Sequence, residues 1–177
     1  MRMEFPQEYR YRGFELEEAC LGHKIDWKNR LENEGVSEED LSHKKLFEIY
    51  EKLYPFNPQI PQKKWGKDLF NLVADKLNLD IENPEELKFI NVLGTRLDRK
   101  GADCFFSFKN PKTGKIDYCT IDITANPKKD AGKADVLVGE NDITLDYQNN
   151  PEEYMEKLEI MAEKIAHLLK EKTELIH

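Results

Sequence analysis

The chain has 177 residues, 39% of them hydrophobic, 10% aromatic and 35% charged, and a net charge of −8. That length supports one domain with a real core and is too short for two comfortable ones, and the composition excludes a disordered or fibrous class. No apolar run approaches the roughly 18 residues of a membrane span, and Met1-Arg2-Met3-Glu4-Phe5-Pro6 lacks the apolar stretch of a signal peptide, so a cytoplasmic protein with no membrane partner is expected.

The first sixty residues read as two helices. Phe14, Leu16, Ala19, Cys20, Ile25, Trp27 and Leu31 form a loosely helical apolar stripe that ends near Gly35. Ser37 and Asp40 predict the start of a second helix, continued by Leu41, Leu46, Ile49, Tyr50 and Leu53. Pro55, Pro58 and Pro61 end it and form a stiff connector. A third helix is predicted over 62–79, with Trp65, Leu69, Phe70, Val73, Ala74 and Leu77 on one face. Residues 87–93 predict a first strand, 94–100 a polar turn and 133–138 a short fourth strand that 143–145 would extend or flank. The closing helix has Asn150 as cap, Pro151 at its first position and Glu152 and Glu153 at its positive end. Its stripe of Tyr154, Leu158, Met161, Ile165, Leu168 and Leu169 suits core packing or a homodimer interface. The order implies an α+β fold: a small mixed or antiparallel sheet of about four strands with a central β-hairpin, flanked by helices. One domain over 1–177 is expected, with a helical part over 1–60 and a core with the C-terminal helix over 61–177.

The hairpin is the most informative segment. Pro111 and Gly114 lie between two strand-like runs, so Asn110 faces Lys115 and Asp103 faces Asp122. On that register Asp103, Phe105, Ser107, Tyr118, Thr120, Asp122 and Thr124 share one face. Cys104, Phe106, Phe108, Cys119, Ile121 and Ile123 share the other, an apolar set suited to a core. Opposed residues have Cβ atoms about 4.5–5.5 Å apart, so one oxygen of each aspartate reaches a single divalent cation, and without one the two repel. The bland alternative makes both aspartates exposed strand-end charges satisfied by Arg96 or Lys128.

Charge is unevenly spread. Residues 61–139 hold 14 basic and 12 acidic residues, whereas 140–177 hold 4 and 10. Arg96, Arg99 and Lys100 precede Asp103, and Lys128, Lys129 and Lys133 follow Asp122, so cations bracket the acids and mark candidate contacts for nucleic acid. Cys20, Cys104 and Cys119 are odd in number and have no CxxC spacing, which indicates neither a disulfide framework nor a zinc site. His23, His43, His167 and His177 show no metal-ligand spacing.

Gly101-Ala102-Asp103 on one strand and Asp122-Ile123-Thr124 on the next, behind an amphipathic helix and a strand, resemble the PD-(D/E)XK, or restriction-endonuclease-like, nuclease superfamily over about residues 62–140. Asp103 matches its first acidic motif and Asp122 the acid of the second, but Thr124 stands where the family has lysine. The resemblance implies a restriction-endonuclease-like core and a Mg²⁺- or Mn²⁺-dependent nuclease, with metal held by Asp103, Asp122 and the backbone carbonyl of Ile123. Asp98 and Asp68 are further candidate ligands. It implies two outcomes for the missing lysine. Either Lys128 or Lys129 swings back to the site, with Thr124 contacting a metal-bound water, or the site is silent and the domain binds nucleic acid or a protein without cutting. A small interaction protein with no metal site is a third class.

Overall fold

The computed structural model describes residues 13–80, 84–126 and 133–174. Among them the chain runs α1 (Gly13–Leu21), α2 (Trp27–Asn33), α3 (His43–Leu53), α4 (Lys64–Lys76), β1 (Leu87–Asn91), α5 (Arg96–Arg99), β2 (Cys104–Lys109), β3 (Ile116–Thr124), β4 (Val136–Gly139) and α6 (Pro151–Glu174). The fold is α+β. The strands form one mixed sheet in the order β1-β2-β3-β4, antiparallel except that β4 runs parallel to β3.

The hairpin has the expected register, with Cys104 opposite Ile121 and Lys109 opposite Ile116. Asn110 builds its turn: its N–H donates to Lys115 O at 2.9 Å, its carbonyl accepts from Gly114 N at 2.8 Å, and its side-chain oxygen accepts from Lys112 N at 2.9 Å. The strand residues divide between the two faces as expected, and helices cover both sides of the sheet. Cys104, Phe106, Cys119, Ile121 and Ile123 pack with α1, α4 and α6. On the acid-bearing side Phe105, Ile90 and Ala102 pack with Trp27, Leu31, Leu46, Phe47 and Tyr50 of α2 and α3. The stripe of α6 lies in the first of these cores, leaving Ile160 and Met155 exposed on the opposite face.

Several predicted boundaries move for local reasons. The stripe from Phe14 to Leu31 is broken into α1 and α2 at Gly22, whose φ of +97° suits glycine alone and whose backbone lies against Gln62. Asp26 then caps α2, accepting from Asn29 N at 3.2 Å. Ser37 does not open the next helix. Glu38 accepts from Tyr50 Oη and, at 3.0 Å, from Arg96 N, which pins residues 38–40 as a 3-10 turn, and Ser42 caps α3 instead. Asn78 at φ 56° ends α4, its N–H donating to Asp75 O at 2.9 Å while Leu79 N reaches Ala74 O at 3.0 Å. The proline connector lies beside the sheet edge, with Phe89 N donating to Pro58 O at 2.8 Å. The expected polar turn over 94–100 contains α5, capped by Thr95. The fourth strand begins at Val136, because the Asp135 side chain, not its backbone, accepts from Thr120 N at 2.8 Å. Residues 143–145 form no strand, although Ile143 is buried.

Candidate functional site

The acid site forms where β2 starts and β3 ends. Asp103 immediately precedes β2 and is tied on both sides of its backbone, its N–H donating to Ile121 O at 2.8 Å and its carbonyl accepting from Val92 N at 2.9 Å. Its carboxylate Oδ2 accepts from Ile123 N at 2.6 Å, so the side chain continues the ladder across to β3. Asp122 lies on the neighbouring strand on the same face as Thr120 and Thr124. Neither aspartate is the exposed strand-end charge of the bland alternative: they are 4% and 3% exposed.

Burial and neighbouring acids act together on Asp103. Desolvation raises its carboxyl most, the Ile123 N–H opposes this, and the charges of Glu17, Asp122 and Asp98 raise it further, to about 8. Glu17 comes from α1, which packs on the other core, and sequence reasoning missed it. Only its place one residue after the buried Leu16 could have pointed to it. Asp98 reaches the group from α5 while accepting from Gly94 N at 2.6 Å. Gly101, at φ +89°, lies beside Asp122, and a Cβ there would stand 3.6 Å from Asp122 Oδ2. A side chain at 101 would therefore both strain the turn and close the space beside that carboxylate.

The other predicted residues separate. Asp68 is not at the site: it pairs with Lys64 and accepts from Tyr154 Oη at 2.6 Å. Ile123 turns its side chain into the core and gives its N–H to Asp103. Thr124 Oγ1 accepts from Asn126 N at 3.1 Å, turning the chain out of β3. Arg96 and Arg99 bind acids of the segment before α3, Arg96 at 3.8 Å from Glu39 and Arg99 at 3.1 Å from Glu38, so they are structural ties more than free cations. Lys100 and Lys133 are exposed. Lys128 and Lys129 lie outside the described residues.

Among the described residues no three His, Cys, Asp or Glu side chains are grouped closely enough to hold a metal ion. The donor set still suits a hard cation, because Mg²⁺ keeps several waters and is commonly bound through only one or two carboxylates. The cysteines offer no soft site: burial pushes the thiols of Cys20 and Cys119 up to about 12 and that of Cys104 well above its ordinary value.

Down the same face of β3 lies a cleft of about 550 Å³ that sequence reasoning did not foresee. His43, Lys44 and Phe47 of α3, Lys115 of the turn, Ile116 to Tyr118 and Thr120 of β3, Lys133, Asp135 and Lys172 line it. Tyr118 stacks on Phe47 with ring centroids 4.3 Å apart. Lys172 Nζ donates to Asp135 at 2.7 Å and to Tyr118 O at 2.8 Å. Burial acts to raise the Asp135 carboxyl, but the Lys172 hydrogen bond and those from Thr120 hold it below its ordinary value.

Comparison of the chain with protein-family models, with curated proteins and with solved structures finds no match in any of the three.

Proposed function

We propose that the protein is a metal-dependent nuclease-like protein that hydrolyses phosphodiester bonds in nucleic acid, with Asp103 and Asp122 holding Mg²⁺ or Mn²⁺ on a restriction-endonuclease-like core. The observation that carries this reading is the buried carboxylate pair at the hairpin's end, where Asp103 is pushed toward its neutral form by burial and by three neighbouring acids. Buried charges are ordinarily paired or coordinate metal, and a divalent ion would replace the proton that otherwise relieves the repulsion. When bound, such an ion supplies positive charge for a phosphoryl oxygen and an acidified water. The chain's own residues hold the site in place. The Ile123 N–H orients the Asp103 carboxylate, Gly101 lies beside Asp122 with no side chain to press on it, and Glu17 and Asp98 add negative charge around a cation. The cation that Thr124 cannot supply would come from Lys128 or Lys129, which follow Asp122 closely in the sequence.

A second reading rests on Thr124, whose hydroxyl is engaged with Asn126: the module binds nucleic acid, or a protein partner, without cutting it. Incubation of plasmid and single-stranded oligonucleotides with Mg²⁺ and with Mn²⁺ separates the two. Hydrolysis that is lost in Asp103→Asn and Asp122→Asn, and cut by a large factor in the Lys128→Ala/Lys129→Ala double variant, supports the nuclease. No cleavage of varied DNA and RNA by the wild type supports the silent module.

A further inference from the structure

We propose that the cleft between α3 and β3 binds a single strand of nucleic acid and guides it to the carboxylate pair, and that duplex is not accepted there. The inference rests on the hydrolytic reading above for its destination, but not for its binding. The cleft gathers Lys44, Lys115, Lys133 and Lys172 from four separate parts of the chain around one concavity, against the two acids Asp117 and Asp135. Lys115 is paired with Asp117 at 3.1 Å and Lys172 with Asp135 at 2.7 Å. That leaves Lys44 and Lys133, both exposed, as the surplus positive charge at the cleft. Scattered surface lysines are ordinary, whereas lysines converging on a concavity concentrate potential and attract a polyanion.

The floor is suited to bases. Tyr118 is half-buried and held in one orientation between Phe47, on which it stacks, and Phe105, which meets it edge-on at 5.8 Å. A fixed aromatic ring beside cations is the arrangement that binds single strands, because bases stack on the ring while lysines follow the phosphates. His43 stands at the rim, and burial together with the charges of Lys100 and Arg96 favours its neutral form, which makes it a further flat, polar surface.

The cleft leads to the acids. Thr120, on its wall, precedes Asp122 by two residues on the same face of β3, a rise of about 7 Å. Lys100, which acts electrostatically on His43, adjoins Gly101, the backbone beside Asp122. Strandedness follows from burial. With both carboxylates nearly inaccessible and α2 and α3 packed over the neighbouring part of the same sheet face, a phosphodiester must leave its helix to arrive. A duplex is a stiff rod on this length scale, whereas a single strand bends freely.

Fluorescence anisotropy with labelled oligothymidylate, and with the duplex it forms with oligodeoxyadenylate of the same length, tests this in EDTA across a salt series. The expected result is binding of the single strand about tenfold or more tighter than the duplex, weakening linearly on a log–log salt plot. The Lys44→Glu/Lys133→Glu double variant should bind the single strand about tenfold or more weaker, with an unchanged circular dichroism spectrum, because both positions are exposed. Equal or tighter duplex binding, no binding of either probe, or wild-type affinity in the double variant would overturn the proposal. The two readings fail separately. Single-strand binding without any cleavage defeats the hydrolytic reading and keeps the cleft, whereas cleavage of duplex as fast as single strand defeats the cleft and keeps the hydrolysis.

Discussion

The two faces of the β2–β3 hairpin are built from alternate residues of the same strands, yet they are stabilised differently. One buries Cys104, Phe106, Cys119, Ile121 and Ile123 against α1, α4 and α6, and burial pushes the thiols of Cys20, Cys104 and Cys119 up, away from neutral pH. The other is divided. Its middle is roofed by α2 and α3 over Phe105, while its end holds the buried Asp103 and Asp122. Period-two alternation thus decides which residues share a face, but the helices packed on it decide whether that face is dry core, cleft or polar site.

The largest effect that separates the faces is expected from Phe106→Ala. Phe106 is fully buried and packs against Phe89 at 5.0 Å and Phe70 at 6.3 Å. Its truncation should cost about 3–5 kcal/mol in chemical denaturation; a loss under about 1 kcal/mol would mean this face is not the principal core.

Asp103→Asn should do the opposite on the other face. Because the Asp103 carboxyl is raised in the folded state from an ordinary value of 3.8 to about 8, its contribution is fully present below 3.8 and is lost as pH rises through about 8. In EDTA at pH 9 the amide should therefore be the more stable by an amount of order 2 kcal/mol, with the difference shrinking toward pH 4. Equal urea midpoints at both pH values would refute the buried repulsion.

A smaller loss, about 1–3 kcal/mol, is expected from Asp135→Ala, which strips partners from Thr120 N and from Lys172 together. The same substitution in the exposed Glu152 is the control and should be near neutral. Smallest is Gly101→Ala, at about 1 kcal/mol for a residue forced to φ +89°. If its cost is nil, the turn relaxes and the backbone at 101 has no need of glycine.

Much of the sheet was legible in the sequence because hairpin register follows from local turn chemistry. Asn110, Pro111 and Gly114 set the register from Cys104–Ile121 to Lys109–Ile116, and Asp103, one residue before β2, is bonded to Ile121 and Ile123 on either side of Asp122. What was not legible depends on docking. The roof over Phe105 requires α2 and α3 to dock on that face, the arrival of Glu17 requires α1 to pack on the sheet, and the cleft requires Lys133 and Lys172 to meet His43 and Lys44 from distant positions. Arg96 and Arg99 read as candidate contacts for nucleic acid by sequence proximity to Asp103, but Glu38 and Glu39, almost sixty residues earlier, hold them.

The central claim is that the carboxylate pair takes up a divalent cation in exchange for a proton. Isothermal titration of Mn²⁺ at pH 7, in two buffers of different ionisation enthalpy, measures both at once. The account predicts wild-type binding with about one proton released per ion, since Asp103 is mostly protonated below about 8, and loss of binding in Asp103→Asn and in Asp122→Asn. Wild-type affinity in both variants, or heats identical in the two buffers, would contradict it.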